Sequence, residues 1–259
     1  MTDVGLIPGG ETRVGDNGGL LRLLATVEGM EPRQALWVEH LAARSPAEGA
    51  QTLDQAVRKA ALREADAVSA YLALLDLPTV SARVGAGRMA EILAAAREAS
   101  REGCLLLLEH PGPPVAREGL GPPPDPVLET VSLGHRKTAA RGPRSTLLER
   151  ILRDPDPRVV GEVLRNPRLR EGEILAVASR RPCPQEIFWL LVRRGSWLLR
   201  PAVQRAVVLN PYAPPQLAVA LVPLLMDPDL VALAQQEGLH PAVRDGALDV
   251  LSWRRAVGP

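Results

Sequence analysis

Aromatic residues are scarce in this chain of 259 residues: one phenylalanine, two tyrosines and four tryptophans make up 3% of it. So few rings argue against a β-sandwich, whose strands draw on aromatic and β-branched side chains. They favour helices stacked through leucine, alanine and valine. They also leave little on which nucleic-acid bases could stack. Cysteine is scarcer still. Cys104 and Cys183 lie far apart with no CxxC pairing, which excludes a disulfide framework and a cysteine-rich metal site within one chain. Both read as reduced thiols filling small apolar spaces. Apolar runs such as Leu105 to Leu108 fall far short of the ~20 residues that span a membrane. Met1 to Gly19 shows no basic region followed by an apolar core, so no secretory signal is read there. The expected location is the cytoplasm.

Catalytic signatures are missing too. His40, His110, His135 and His240 are scattered, with no HExxH and no carboxylate at ligand spacing. There is no Gly-x-Ser-x-Gly elbow and no Cys/His nucleophile pair. Gly85-Ala86-Gly87 precedes a helix without a βαβ context or a following Lys-Ser/Thr, and reads as a helix N-terminal turn. The expectation is a protein that is not an enzyme and carries no cofactor and no metal.

Prolines are abundant, 25 in all, and between them a four-residue apolar signature keeps returning from Thr146 to about Leu251. Leu147, Leu148, Ile151 and Leu152 open the series, and Val159, Val160, Val163 and Leu164 repeat it. Ile187, Phe188, Leu191 and Val192 follow, then Leu217, Ala218, Leu221 and Val222. A pair at i, i+1 returning at i+4, i+5 marks one buried stripe on a helix. Pro143, Pro155, Pro167 and Pro182 punctuate the series, and Pro211, Pro228 and Pro241 continue it. Proline removes a helical hydrogen bond and pushes its predecessor out of helical geometry. Asp154, Asn166, Asn210 and Asp227 occupy that preceding position, where short polar side chains tolerate turns. Helices of roughly ten residues are unstable alone and must lean on neighbours. A row of them predicts an α-solenoid.

Read in order, residues 1–17 form a glycine-rich flexible arm and 18–109 an N-terminal helical domain. Within it helices are expected at Leu20 to Val27, after Glu31-Pro32, over Thr52 to Leu77 with a break near Glu64 and a stop at Pro78, and over Gly87 to Glu102. Residues 110–127, rich in proline and glycine, read as a semi-rigid linker, or as a long loop within one superhelix. Residues 128–253 make the helical-repeat domain, and 254–259 a frayed tail. The expected fold is all-α. Net charge is +1, but residues 1–133 carry −6 and residues 134–259 carry +7, so the second half could meet an anionic partner.

The units "LLERILRDPDPRVVGEVLRNP" and "AVVLNPYAPPQLAVALVPLL" resemble the leucine-rich-repeat-variant and related HEAT-like bacterial repeats, over roughly Thr138 to Leu251. The resemblance implies paired short helices with xNP or xDP turns and a binding scaffold. The founding variant-repeat protein has an N-terminal cysteine cluster for an iron–sulfur centre, and this chain has none.

Two surfaces are candidates. The first is an arginine ridge: Arg136, Lys137, Arg141, Arg144, Arg153, Arg165, Arg168, Arg180, Arg181, Arg193 and Arg194. Stacked units would array them along one edge suited to phosphates or an acidic protein. Alternatively, Arg153, Arg165, Arg180, Arg181, Arg193 and Arg194 end predicted helices and complement their dipoles. The second is the cluster of Phe188, Trp189 and Trp197, either an exposed anchor for a protein partner or a wide buried face. Two functions follow as expectations: a scaffold or adaptor that holds another protein, or a HEAT-like nucleic-acid-binding protein, repair-type enzymes included, using an arginine-rich face. A structural subunit tethered by the N-terminal arm is a third.

Overall fold

The computed structural model describes residues 17–115, 125–194 and 196–258. The predicted flexible arm, 1–17, lies almost wholly outside them, as does much of the predicted linker. Seventeen α-helices and no strand are found among the described residues. The first half holds α1 (Asn17–Thr26), α2 (Met30–Ala43), α3 (Pro46–Ala61), α4 (Ala65–Leu72), α5 (Leu77–Val84), α6 (Ala86–Glu98) and α7 (Glu102–Leu108). The second holds α8 (Pro126–Thr130), α9 (Leu133–Ala140), α10 (Thr146–Ile151), α11 (Pro157–Val163), α12 (Glu171–Ala178), α13 (Gln185–Arg193), α14 (Pro201–Val208), α15 (Pro215–Leu221), α16 (Asp227–Gln235) and α17 (Pro241–Val257). The 3-10 turns Trp197–Leu199 and Val222–Leu224 flank α14 and α15.

Proline places these helices at both ends. Pro143, Pro155, Pro167, Pro182 and Pro211 stand in the turns before α10, α11, α12, α13 and α15. Pro46, Pro126, Pro157, Pro201, Pro215 and Pro241 are themselves first residues, where the missing N–H is no loss and φ is already helical. Pro78 belongs to this second class. It sits in the first turn of α5 and starts a helix where the sequence reads a stop. The break near Glu64 is real: Arg63 turns left-handed at φ 66° and Glu64 caps α4. The apolar signature also lands as the spacing requires, since all twelve residues of its second, third and fourth occurrences are buried.

The residues before proline do more than tolerate a turn. Asn166, after α11, accepts from Arg168 N–H and donates through Nδ2 to the carbonyls of Ala140 and Gly142, at 2.9 and 2.8 Å. Those carbonyls end α9 and would otherwise be orphaned. Asn210, after α14, repeats the arrangement: it accepts from Tyr212 N–H and donates to Ala178 and Arg180, also at 2.9 and 2.8 Å, at the end of α12. Both side chains are buried. Asp154, after α10, keeps the local bond, accepting from Asp156 N–H. Having no amide to donate, it instead accepts from Arg136 Nη1 at 2.6 Å.

The first half is tied differently. Trp37 and Gln34, in the middle of α2, donate to Ala70 and Ala73 at the end of α4. Buried Asp54, in α3, accepts from Gly103 N–H at the start of α7. A side chain at Gly103 would press on the Asp54 carbonyl at 3.0 Å, so the close approach of α3 and α7 requires glycine. The Leu105–Leu108 run, noted in the sequence only as too short for a membrane, is most of α7.

Both halves contribute to one buried core. Tyr71 Oη donates to Ala220 O at 2.6 Å, and α7 and α3 pack directly on α15 and α17. Arg254 donates to the carbonyls of Ala61, Pro223 and Leu225 and to Asp227. That anchor corrects the expected frayed tail: α17 stays helical through Val257 because Arg254 gathers three carbonyls beneath it.

Candidate functional site

The arginines of the predicted ridge do not share one edge. Those that line a cleft are divided between two, and Arg141, Arg144 and Arg168 line neither. Ends of α11 and α13 reach a first cleft of about 900 Å³. Ends of α10 and α12 reach a second of about 880 Å³.

The first cleft lies between α2 and α5 on one side and α9, α11 and α13 on the other. Arg165, Arg193 and Arg194 line it, joined by Arg83, Lys137 and Arg158. Its acids are Glu31, Asp76 and Glu162, so cations exceed carboxylates by six to three. Arg193 Nε bonds buried Asp76 at 3.2 Å. Glu162, also buried, accepts from Arg165 at 3.0 Å and from Arg141 at 2.8 Å. The bond from Arg141, chiefly, holds the Glu162 carboxyl below its ordinary range, so this acid is ionised at neutral pH. Arg158 is matched by Asp156 outside the lining. Lys137 adds its charge to those acting on Glu162, and among the described residues no carboxylate pairs with Arg83 or Arg194, which leaves the cleft positive.

Arg180 and Arg181 belong to the second cleft, with Arg136, Arg150 and Arg153. Arg180 Nη1 donates to Asp154 O at 2.7 Å, and Arg181 Nη2 to Leu209 O at 2.6 Å. These bonds fasten arginines to carbonyls in neighbouring turns, a firmer role than complementing a helix dipole. Of the six arginines expected in a last helical turn, Arg193 alone sits there, and Arg194 is the cap of the same helix. Arg168 is exposed and lines neither cleft.

Phe188 is fully buried. Trp189 and Trp197 are half-buried and pack against the core, and the Arg200 guanidinium lies 5.4 Å from the centre of a Trp197 ring. The two tryptophans line neither cleft, so anchor and arginines do not form one surface.

The chain matches no family model, no curated protein and no solved structure. The chemistry therefore rests on the residues themselves. Among the described residues, no three His, Cys, Asp or Glu side chains stand where they could share a metal ion. Cys104 and Cys183 are buried, and burial pushes the Cys104 thiol up to about 12, away from the reactive thiolate. His40 is held below its ordinary value by burial first and Arg44 second, against the pull of Glu48. It contacts Thr52 Oγ1 at 3.1 Å, a structural tie inside the first half. Among the described residues, no single helix is long and apolar enough to cross a membrane.

Sequence reasoning missed half of the first cleft. Arg83, Asp76 and Glu31 come from a region whose overall charge is negative, and nothing in their spacing points across the molecule to α13.

Proposed function

We propose that this protein is a non-enzymatic scaffold or adaptor that holds an acidic segment of another protein in the first cleft. The observation that carries this reading is the positive charge of Arg83 and Arg194, which no carboxylate pairs among the described residues, on a concave wall built from both halves. Paired Asp76 and Glu162 set those cations in a mixed field, which selects a patterned acidic partner rather than any polyanion. The same mixture, and the lack of any aromatic side chain in the lining, disfavour the nucleic-acid alternative, which needs an uninterrupted basic track with stacking platforms.

The second half is proposed to be a helical repeat of the leucine-rich-repeat-variant or HEAT-like kind. The matching Asn166 and Asn210 ties, each joining a helix end to that of the helix two before it, support this. Cytoplasmic action is part of the proposal.

The test is capture of partners from the protein's own cell lysate, with and without nuclease. The full chain is compared with an Arg83→Glu/Arg194→Glu variant and an Arg168→Glu control. A protein recovered despite nuclease, lost in the double variant and kept in the control is the expected result. Capture that nuclease abolishes would favour the nucleic-acid reading. Capture indifferent to the double variant would remove the first cleft from consideration.

A further inference from the structure

The second cleft has a different composition from the first, and a different occupant suits it. Five arginines face two lining acids, Asp125 and Glu129. Asp154, fully buried against Arg136, is a third acid beneath the wall. Setting three negative charges against five positive ones leaves two positive charges over. Asp125 is spoken for: Arg150 Nη1 reaches its two oxygens at 3.0 and 2.9 Å. Partial loss of water pushes the Asp125 carboxyl up, but Arg150 and the Val127 N–H outweigh it and keep it below its ordinary value. It is therefore ionised and occupied at neutral pH. Arg153, Arg180 and Arg181 remain, and among the described residues none of them is paired with a carboxylate.

Two buried arginine stems carry unused donors. Nε of Arg136, and Nε and Nη2 of Arg180, are buried with no hydrogen-bond partner, a costly condition for charged groups. Both arginines line the cleft, but these atoms are shielded from solvent, so an oxyanion gains them only as those side chains turn toward it. Apart from Ser179, the rest of the lining is apolar, from Pro126, Leu128, Val131, Pro155 and Ala176. The volume falls within the roughly 300–1,000 Å³ usual for small-ligand sites.

We propose that this second cleft binds a small organic phosphate, most suitably a diphosphate ester. A single carboxylate has one charge and occupies one guanidinium fork. A phosphoryl group offers three oxygens and nearly two charges in little space, which fits several converging arginines. The apolar lining takes the organic body. This site is separate from the first cleft and does not depend on what docks there.

The full chain is titrated by calorimetry with inorganic pyrophosphate, ADP and adenosine. The two phosphate compounds bind and adenosine does not. Arg153→Glu, at an exposed position with no carboxylate partner to lose, weakens ADP binding by about tenfold or more, while its melting temperature stays unchanged. Arg181→Ala weakens it as well, and Arg168→Glu, outside both clefts, leaves it alone. The proposal is overturned if neither phosphate compound binds at millimolar concentration. It is equally overturned if adenosine binds as well as ADP, or if Arg168→Glu weakens binding as much as Arg153→Glu, since the effect would then be apolar or general.

Discussion

The two halves of the molecule solve one problem in two ways. Every helix leaves carbonyls without partners at its C-terminal end. In the first half those of α4 are met by Gln34 and Trp37, side chains in the middle of α2. In the second half those of α9 and α12 are met by Asn166 and Asn210, in the turn that ends the helix two places later. The first solution suits helices such as α2 and α3, with 14 and 16 residues, which have interior positions to spare. Helices of seven or eight residues, such as α11 and α14, have few such positions, and the turn must do the joining. A long helix also holds itself partly by local capping, as Ser45 and Glu48 do reciprocally at the start of α3. A short helix depends on its neighbours.

The sharpest way to break this comparison is Asn210→Ala. It leaves two carbonyls and the Tyr212 N–H in a buried turn without partners. It should cost about 3 kcal/mol, read as a lowered urea midpoint. Asn210→Asp should be no better, because it keeps the acceptor but sets a charge against two carbonyls. A cost no greater than that of losing a surface cap would refute the role assigned to the turn.

Glu162→Gln probes the same half at a smaller scale. The Glu162 carboxyl is depressed in the folded state, first by the hydrogen bond from Arg141 and then by the charges of Arg141, Arg165 and Lys137, against the opposing pull of burial. A depressed carboxyl contributes stability above its unfolded pKa, ordinarily about 4.3, and loses it as pH falls through the folded value. The variant should therefore be about 1 kcal/mol less stable at pH 7. The difference should shrink below about pH 4.3 and vanish once the lowered folded value is passed. Parallel stability curves across that range would show that the Arg141 bond contributes nothing.

Ser45→Ala in the first half is the smallest of the three. It removes the hydroxyl that accepts from Glu48 N–H in an exposed cap, a loss of about 0.5 kcal/mol. If it exceeded Asn210→Ala, the longer helices would be the ones that lean on a single tie.

The Asn-Pro turns show how much was legible. Asn166 and Asn210 stand out in the sequence because proline follows each, and an apolar signature precedes Asn166. The spacing located α11, while α14 falls in a stretch where Pro201 interrupts the spacing and itself marks the helix start. Gln34 and Asp54 carry equivalent bonds but follow no pattern, since each acts once. Arg254 was read as part of a tail for the same reason: nothing near it in sequence indicates the carbonyls of Ala61 and Pro223 that it holds. In the clefts, Arg165, Arg193 and Arg194 were visible as basic residues near helix ends, whereas their separation from Arg180 and Arg181 was not. A one-dimensional reading groups charges by type. Which cleft each lines follows from how its helix packs against helices distant in sequence.

The sequence by itself determined the helical character of the chain, the places where proline divides it and the residues that face inward. Each of these depends on spacing over a few residues, through helical period and the geometry of proline. Only the tertiary structure decided that residues before and after the proline-rich stretch share one core. It alone decided that Arg83 and Arg194 line the same cleft, and that Arg136 and Arg180 converge on Asp154. Those relations join residues distant along the chain, and packing and electrostatics act through space, whatever the separation in sequence.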